Sequence, residues 1–319
     1  MKMRSAIGRK AADRAMRGFS ALATALALVL MAWIIWTIVR EGAGALSFGL
    51  LAHCSKPYGE VGGGIANALL GTVLITGGAA ALALPPALAA GIGLAEFGQE
   101  GRFASLVRFA VNALMGVPSV IVGLFVYGVL VATTGRFSGF AGSVALAILM
   151  FPVIVRTTED QFSGVAVALR EAGLALGATR TRVTLGLVCR AAKNGLLTGV
   201  LLAVARVSGE TAPLLFTALY ADAWPTSYFS GPTPSAPVFI TNATMDSPFE
   251  EMHRMGWGAA LVVAGAILAL NVVVRALAAR RRAWRAGRAR SIHSSKARLL
   301  TRFTSTMVPD ARPTGSVKM

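Results

Sequence analysis

Only 2 of 319 residues are cysteine, 3 are histidine and 14% are charged, and the 14 acidic side chains face 31 Lys and Arg. His53, His253 and His293 are scattered, and H-E-x-x-H and G-x-S-x-G do not occur. Zinc-protease and serine-hydrolase chemistry are therefore not indicated, and no residue pattern calls for a metal or another cofactor. The G-x-x-x-x-G-K-[S/T] phosphate loop is missing too, so any ATP that drives this protein is hydrolysed by another chain. The expectation is a protein that is not itself an enzyme.

Apolar residues are abundant. They make up 55% of the chain and raise the mean hydropathy to +0.64, the profile of a polytopic, all-α membrane protein. Six segments supply roughly the ~20 residues that cross ~30 Å of hydrocarbon: 19–39, 65–95, 106–134, 143–155 with some preceding residues, 195–220 and 257–277. The fourth is short. The second contains Pro85 and Pro86, whose missing donors and ring clashes predict a kink or break.

Lys and Arg in short flanks orient such a chain. Lys2, Arg4, Arg9, Lys10, Arg14 and Arg17 precede the first span, and Arg170, Arg180, Arg182, Arg190 and Lys193 lie between the fourth and fifth. A basic tail containing Arg280, Arg281, Arg282 and Arg285 follows the sixth. With six spans these flanks share one side, and both termini are expected to be cytoplasmic. The segment 221–255 falls opposite, with Asp222, Asp246, Glu250 and Glu251 against Arg254. Cys54 and Cys189 then lie on different sides and cannot pair. The net charge of +17 is explained by contact with anionic membrane lipid, at ~1 kcal/mol per juxtamembrane residue, without nucleic acid. The organisation expected is a basic N-terminus at 1–18, a first helix and periplasmic loop at 19–60, a core at 61–278 and a basic, disordered tail at 279–319. The first span is too long for the apolar region of a cleaved signal, about 7–15 residues, so a retained helix is expected.

Arg206 and Glu210 interrupt the fifth apolar run. A charge at bilayer depth costs about 2.5–3.5 kcal/mol, so it faces protein or a polar pathway. In a continuous helix the four-residue spacing places both on one face, where they can partly neutralise each other. An ion pair between helices is the bland reading. Ser208, Gly209, Thr211 and Pro213 crowd the same stretch, however, and loosened backbone at membrane depth is tolerated against protein or a water-filled cavity. The balance favours a polar pathway.

Between the fourth and fifth spans, within 156–194, apolar Leu169, Leu174, Leu176, Val183, Leu185 and Leu187 recur among helix formers, with Gly177 between them. This pattern predicts two short amphipathic helices and a bend. Such an element lies on a membrane surface or docks into a partner's groove, and the pattern does not choose.

Glu171-Ala172-Gly173, then three residues, then Gly177 resembles the docking loop of bacterial ABC importer permeases. The copy departs from that pattern at Gly173, Leu187 and Cys189-Arg190. The stretches 116–125, 156–160 and 205–215 resemble phosphate ABC transporter permeases, and Ser247-Pro248-Phe249-Glu250-Glu251-Met252-His253-Arg254 resembles the PstA type. The resemblance implies the type I importer permease fold, with Glu171, Ala172, Gly173 and Gly177 meeting an ATPase subunit. It further implies a heterodimer with a PstC-type permease, a dimer of the PstB-type ATPase and a periplasmic phosphate-binding protein, PstS, with the complex in the bacterial inner membrane. In that setting Arg206 is expected to meet phosphate, because guanidinium offers a planar fork of donors. Arg156 and Thr211 are further pathway candidates, although a snorkelling role suits Arg156 equally. Glu210 is expected to pair with Arg206, or with a basic residue of the partner, when phosphate is absent. A sulfate or molybdate permease, a transporter driven by an ion gradient, and a membrane scaffold for phosphate sensing remain as alternatives.

Overall fold

The computed structural model describes residues 6–57, 60, 62–98, 101–273 and 276. The chain divides into two units, 1–270 and 271–319. The second contributes only 271–273 and 276 to the described set, all helical, and the expected tail at 279–319 lies outside it. So do the first five residues, with Lys2 and Arg4.

Helices α1 (Ala6–Ala43) and α2 (Phe48–Ala52) lead into α3 (Ala66–Glu96), then α4 (Arg102–Met115) and α5 (Ser119–Thr134), which contains a π-helical turn at Tyr127–Val131. Next come α6 (Gly139–Ser163), α7 (Val167–Ala175), α8 (Arg180–Val183) and α9 (Cys189–Val207). Short α10 (Ala212–Thr217) and α11 (Ala236–Thr241) precede α12 (Glu250–Val273). Among the described residues five helices are long and apolar enough to cross a membrane, and the pair α4 and α5, bent by 99° between them, brings the number to six when counted as one broken span. No strand occurs among the described residues.

Four expectations need correction. Pro85 and Pro86 do not break α3, which runs unbroken for 31 residues. Their absent donors leave only the carbonyls four residues earlier without a helical partner, and Ala83 and Ala87 are buried in the shared core with α6, so packing keeps the helix on course. The third span is not straight. Gly116-Val117-Pro118 interrupts it, because proline disfavours helical backbone at the residue before it. The fifth span starts early, at Arg180, and ends at Val207, so 208–211 is a break and not the middle of a helix. The fourth span is longer than its apolar run: α6 continues past Val155 through Arg156, Glu159 and Asp160 to Ser163.

α3 and α6 pack against each other along their lengths. Gly71, Ile75, Ala79, Ala83, Ala87, Gly91 and Ala95 recur every four residues on the buried face of α3. Ile75, Ala79, Ala83 and Ala87 share a core with Leu146, Met150, Ile154 and Val155 of α6. Small residues let backbones approach closely, which matters where lipid removes the usual hydrophobic drive. At Gly91 a Cβ would lie 2.5 Å from Thr158 Cβ and 2.7 Å from the Val155 carbonyl oxygen.

Opposite ends of this pair carry different polar networks. Near the start of α3, buried Asn67 donates to Ser55 Oγ at 2.8 Å and reaches the carbonyls of Ala221 and Ala223, while Tyr220 donates to the same serine at 2.8 Å. These bonds fasten the segment after α10 to the start of α3. At the far end, Glu96 receives the loop formed by α7 and α8.

Candidate translocation site and docking loop

The two interrupted spans meet. A cavity of about 290 Å³ is lined by Leu114, Met115, Val117, Pro118 and Ser119 at the bend between α4 and α5, by Leu149 and Val153 of α6, and by Arg206, Val207 and Glu210 at the end of α9. The two breaks lie side by side and open space that continuous helices would fill. Beyond it, α5 lies against α10 so closely that a Cβ at Gly123 would stand 2.7 Å from Pro213 Cα.

Arg206 and Glu210 therefore share a cavity, but they do not share a helix. α9 stops at Val207, and Glu210 follows the Ser208 cap, its amide donating to the Val207 carbonyl at 3.1 Å. Among the described residues neither the guanidinium nor the carboxylate has a hydrogen-bonding or ionic partner. The expected intrachain pair is thus not formed, because the break after Val207 removes the one-face geometry that the spacing assumed. Arg206 is exposed and Glu210 half-buried. Thr211, also half-buried, precedes α10 and accepts the amides of Leu214 and Leu215 on its carbonyl. It is not among the cavity-lining residues.

Arg156 stands apart from that cavity. Its Nη1 lies 3.2 Å from Glu159 and its Nε 3.5 Å from Asp160, both within α6. Arg108 of α4 donates to the same Glu159 at 2.6 Å. Two guanidiniums thus flank one buried carboxylate, which ties α4 to α6.

The expected two-helix loop is present, with one difference. α7 and α8 are separated by Gly177, whose φ of +80° is a left-handed conformation that side chains resist. α8 is not a separate helix, however, since a π-helical turn at Thr184–Val188 carries it directly into α9. Gly173 is buried, and a Cβ there would come 2.8 Å from Leu187 Cδ1 and 2.9 Å from Val183 Cγ2. Glycine at this position lets α7 close on the start of the fifth span. Glu171, Ala172 and Leu174 stay exposed, and Leu176 is 88% exposed at the tip.

Beneath the loop is an anchor that sequence reasoning missed. Glu96, the last residue of α3, is 4% exposed and accepts Arg170 Nη2 at 2.6 Å and Nε at 3.1 Å. The partners are 74 residues apart, and no local pattern announces them. The one available signal was an acidic residue ending an apolar span near an arginine-rich loop.

A membrane bundle with two interrupted spans around a charged cavity, and a bent loop left open at one end, has the architecture of a transport subunit. One structural neighbour is a chain of the MetNI methionine ABC transporter in inward-facing conformations, with a TM-score of 0.53, 16% identity, and coverage of 68% of this chain and 93% of that one. That likeness speaks for the fold. In sequence, residues 87–283 match the family described as binding-protein-dependent transport system inner membrane component. The phosphate transport system permease protein PstA of Haemophilus influenzae is 41% identical over 267 residues, covering 84% of this chain and 94% of that protein. The protein of the same name from Yersinia pestis is 38% identical over 279 residues, covering 86% and 94%.

The fold and these matches define a multi-pass permease subunit of the ABC importer class. The chain belongs to the PstA family of binding-protein-dependent transport system inner membrane components. Subunits of this class work with ATPase subunits and a binding protein.

Proposed function

We propose that this chain forms half of a pathway that imports inorganic phosphate, the other half being a PstC-type permease. Two PstB-type ATPase subunits power it in trans, and a periplasmic PstS protein delivers the anion. The observation that carries this reading is the cavity at the meeting of the two interrupted spans, where Arg206 is paired with no carboxylate among the described residues and can serve an oxyanion. The PstA relatives supply the choice of phosphate.

Arg206 meets the anion with its planar fork, and the bend at Pro118 places the start of α5, with the partial positive charge of a helix N-terminus, at the same cavity. Glu210 lines that cavity as well and repels a dianion, so the site guides phosphate without trapping it. Glu171, Ala172, Gly173 and Gly177 form the surface that the ATPase engages. Loop and termini are cytoplasmic in this reading, following the positive-inside distribution. Transport follows alternating access, driven by closure of the ATPase pair.

The test is uptake into proteoliposomes holding the four-component complex, with radiolabelled phosphate, sulfate and molybdate compared at equal concentration. Phosphate accumulation that requires ATP and the binding protein is expected. Accumulation of sulfate or molybdate in its place overturns the assignment.

A further inference from the structure

We propose that Glu96 and Arg170 form a clamp that holds the ATPase-docking loop on the end of α3, so that force applied to the loop reaches the α3 and α6 pair. The proposal rests on the docking role of the loop given above and adds the residues that make it effective.

Arg170 joins three elements with one guanidinium. It sits on α7 beside the exposed Glu171, and its Nη2 donates to Glu96 Oε1 at 2.6 Å and to the Phe162 carbonyl at 2.7 Å, while Nη1 donates to the Val165 carbonyl at 2.5 Å. The same side chain thus grips the end of α3 and the end of α6. A second arginine repeats the hold: Arg180 Nη2 donates to the Glu96 backbone carbonyl at 2.5 Å, with its guanidinium 5.3 Å from the Phe97 ring centroid. Thr184 Oγ1 donates to the other carboxylate oxygen at 3.4 Å.

Burial explains what such a clamp adds. The Arg170 and Glu96 side chains are 17% and 5% exposed. An apolar contact of the same size would hold as firmly as this pair, because desolvation offsets much of the attraction. It would also slide. A forked donor on a carboxylate fixes direction and register, which a lever needs and a greasy contact does not give.

The measurement uses the complete permease and ATPase complex in proteoliposomes with the binding protein, following phosphate uptake and ATP hydrolysis together. Glu96→Gln keeps the shape and leaves Arg170 without its counter-charge, and Arg170→Lys keeps the charge and loses the fork. In each, uptake per ATP hydrolysed is expected to fall roughly tenfold, the scale on which single residues alter coupling. An unchanged ratio in both single variants overturns the clamp. If the unsubstituted complex hydrolyses ATP and takes up no phosphate, the transport reading fails on its own, and hydrogen exchange then decides the clamp. Amides of 167–183 exchange faster in Glu96→Gln while those of 139–155 do not if the clamp is real, and equal exchange in both segments refutes it.

Discussion

Arg156 is held by Glu159 one turn along α6, at 3.2 Å, and Arg108 of α4 takes the same carboxylate at 2.6 Å. A guanidinium already facing Glu159 and Asp160 is a poor ligand for a passing anion, and its side chain, 46% exposed, stands outside the lining of the Arg206 cavity. Arg156→Gln is expected to retain uptake within about threefold of wild type. Glu159→Gln should be the more damaging change, because it leaves two guanidiniums facing each other around a buried amide, at a cost of about 1–3 kcal/mol. Thermal unfolding of the detergent-solubilised permease pair measures the second effect and uptake the first. A larger uptake loss in Arg156→Gln than in Glu159→Gln, at equal assembly, would return Arg156 to the pathway.

The loop makes a packing prediction. Gly173→Val forces side-chain atoms into Val183 and Leu187, which already stand 2.8–2.9 Å from where a Cβ would begin. Overpacking of that kind costs about 1–3 kcal/mol and would lift α7 from the fifth span. Gly177→Leu meets open space but imposes a left-handed backbone on a side chain, costing about 1–2 kcal/mol. Both variants should insert into the membrane and lose phosphate-stimulated ATP hydrolysis, with Gly173→Val the more severe. Normal stimulated hydrolysis in Gly173→Val would show that the loop does not need its fold to dock.

Much of this was legible in the chain. Six apolar runs, a loop bent at Gly177, and Arg206 with Glu210 in an apolar stretch all stand out, because each rests on a local pattern. What the pattern misjudged were the breaks. Pro85 and Pro86 suggested an interruption that packing overrides, whereas Gly116-Val117-Pro118, equally visible, produces the 99° bend. A proline's effect depends on whether neighbouring helices hold the backbone on either side, and that is tertiary information. The buried polar contacts were out of reach for the same reason. Glu96 and Arg170 meet only because α3 and α6 end at one level, and the unpaired state of Arg206 and Glu210 follows from a helix end that four-residue spacing cannot reveal.

Sidedness can be checked at two exposed positions. Thr226 lies in the segment after α10, and Ser163 ends α6 beside the docking loop. In a background lacking Cys54 and Cys189, Thr226→Cys should react with an impermeant maleimide added to intact spheroplasts, and Ser163→Cys should react only after the membrane is opened. Labelling of both from outside would overturn the cytoplasmic placement of the loop.

The cavity itself gives the most discriminating test, because Arg206 and Glu210 share it without pairing. If the two merely stabilised one another, Arg206→Leu with Glu210→Met should be tolerated, since apolar replacements of a buried pair are often neutral. The observed geometry argues otherwise: with the two side chains unpaired among the described residues, the two single changes should have different consequences. Arg206→Leu should abolish uptake, and Arg206→Lys should impair it by about tenfold or more, because the ammonium keeps the charge and loses the planar fork. Glu210→Gln removes the repulsion of a dianion and is expected to bind phosphate more tightly while releasing it more slowly, so half-saturation and maximal rate fall together. Uptake of radiolabelled phosphate in cells lacking other phosphate importers, normalised to assembled complex, reads all three. Near-normal uptake by Arg206→Leu would take Arg206 out of the pathway.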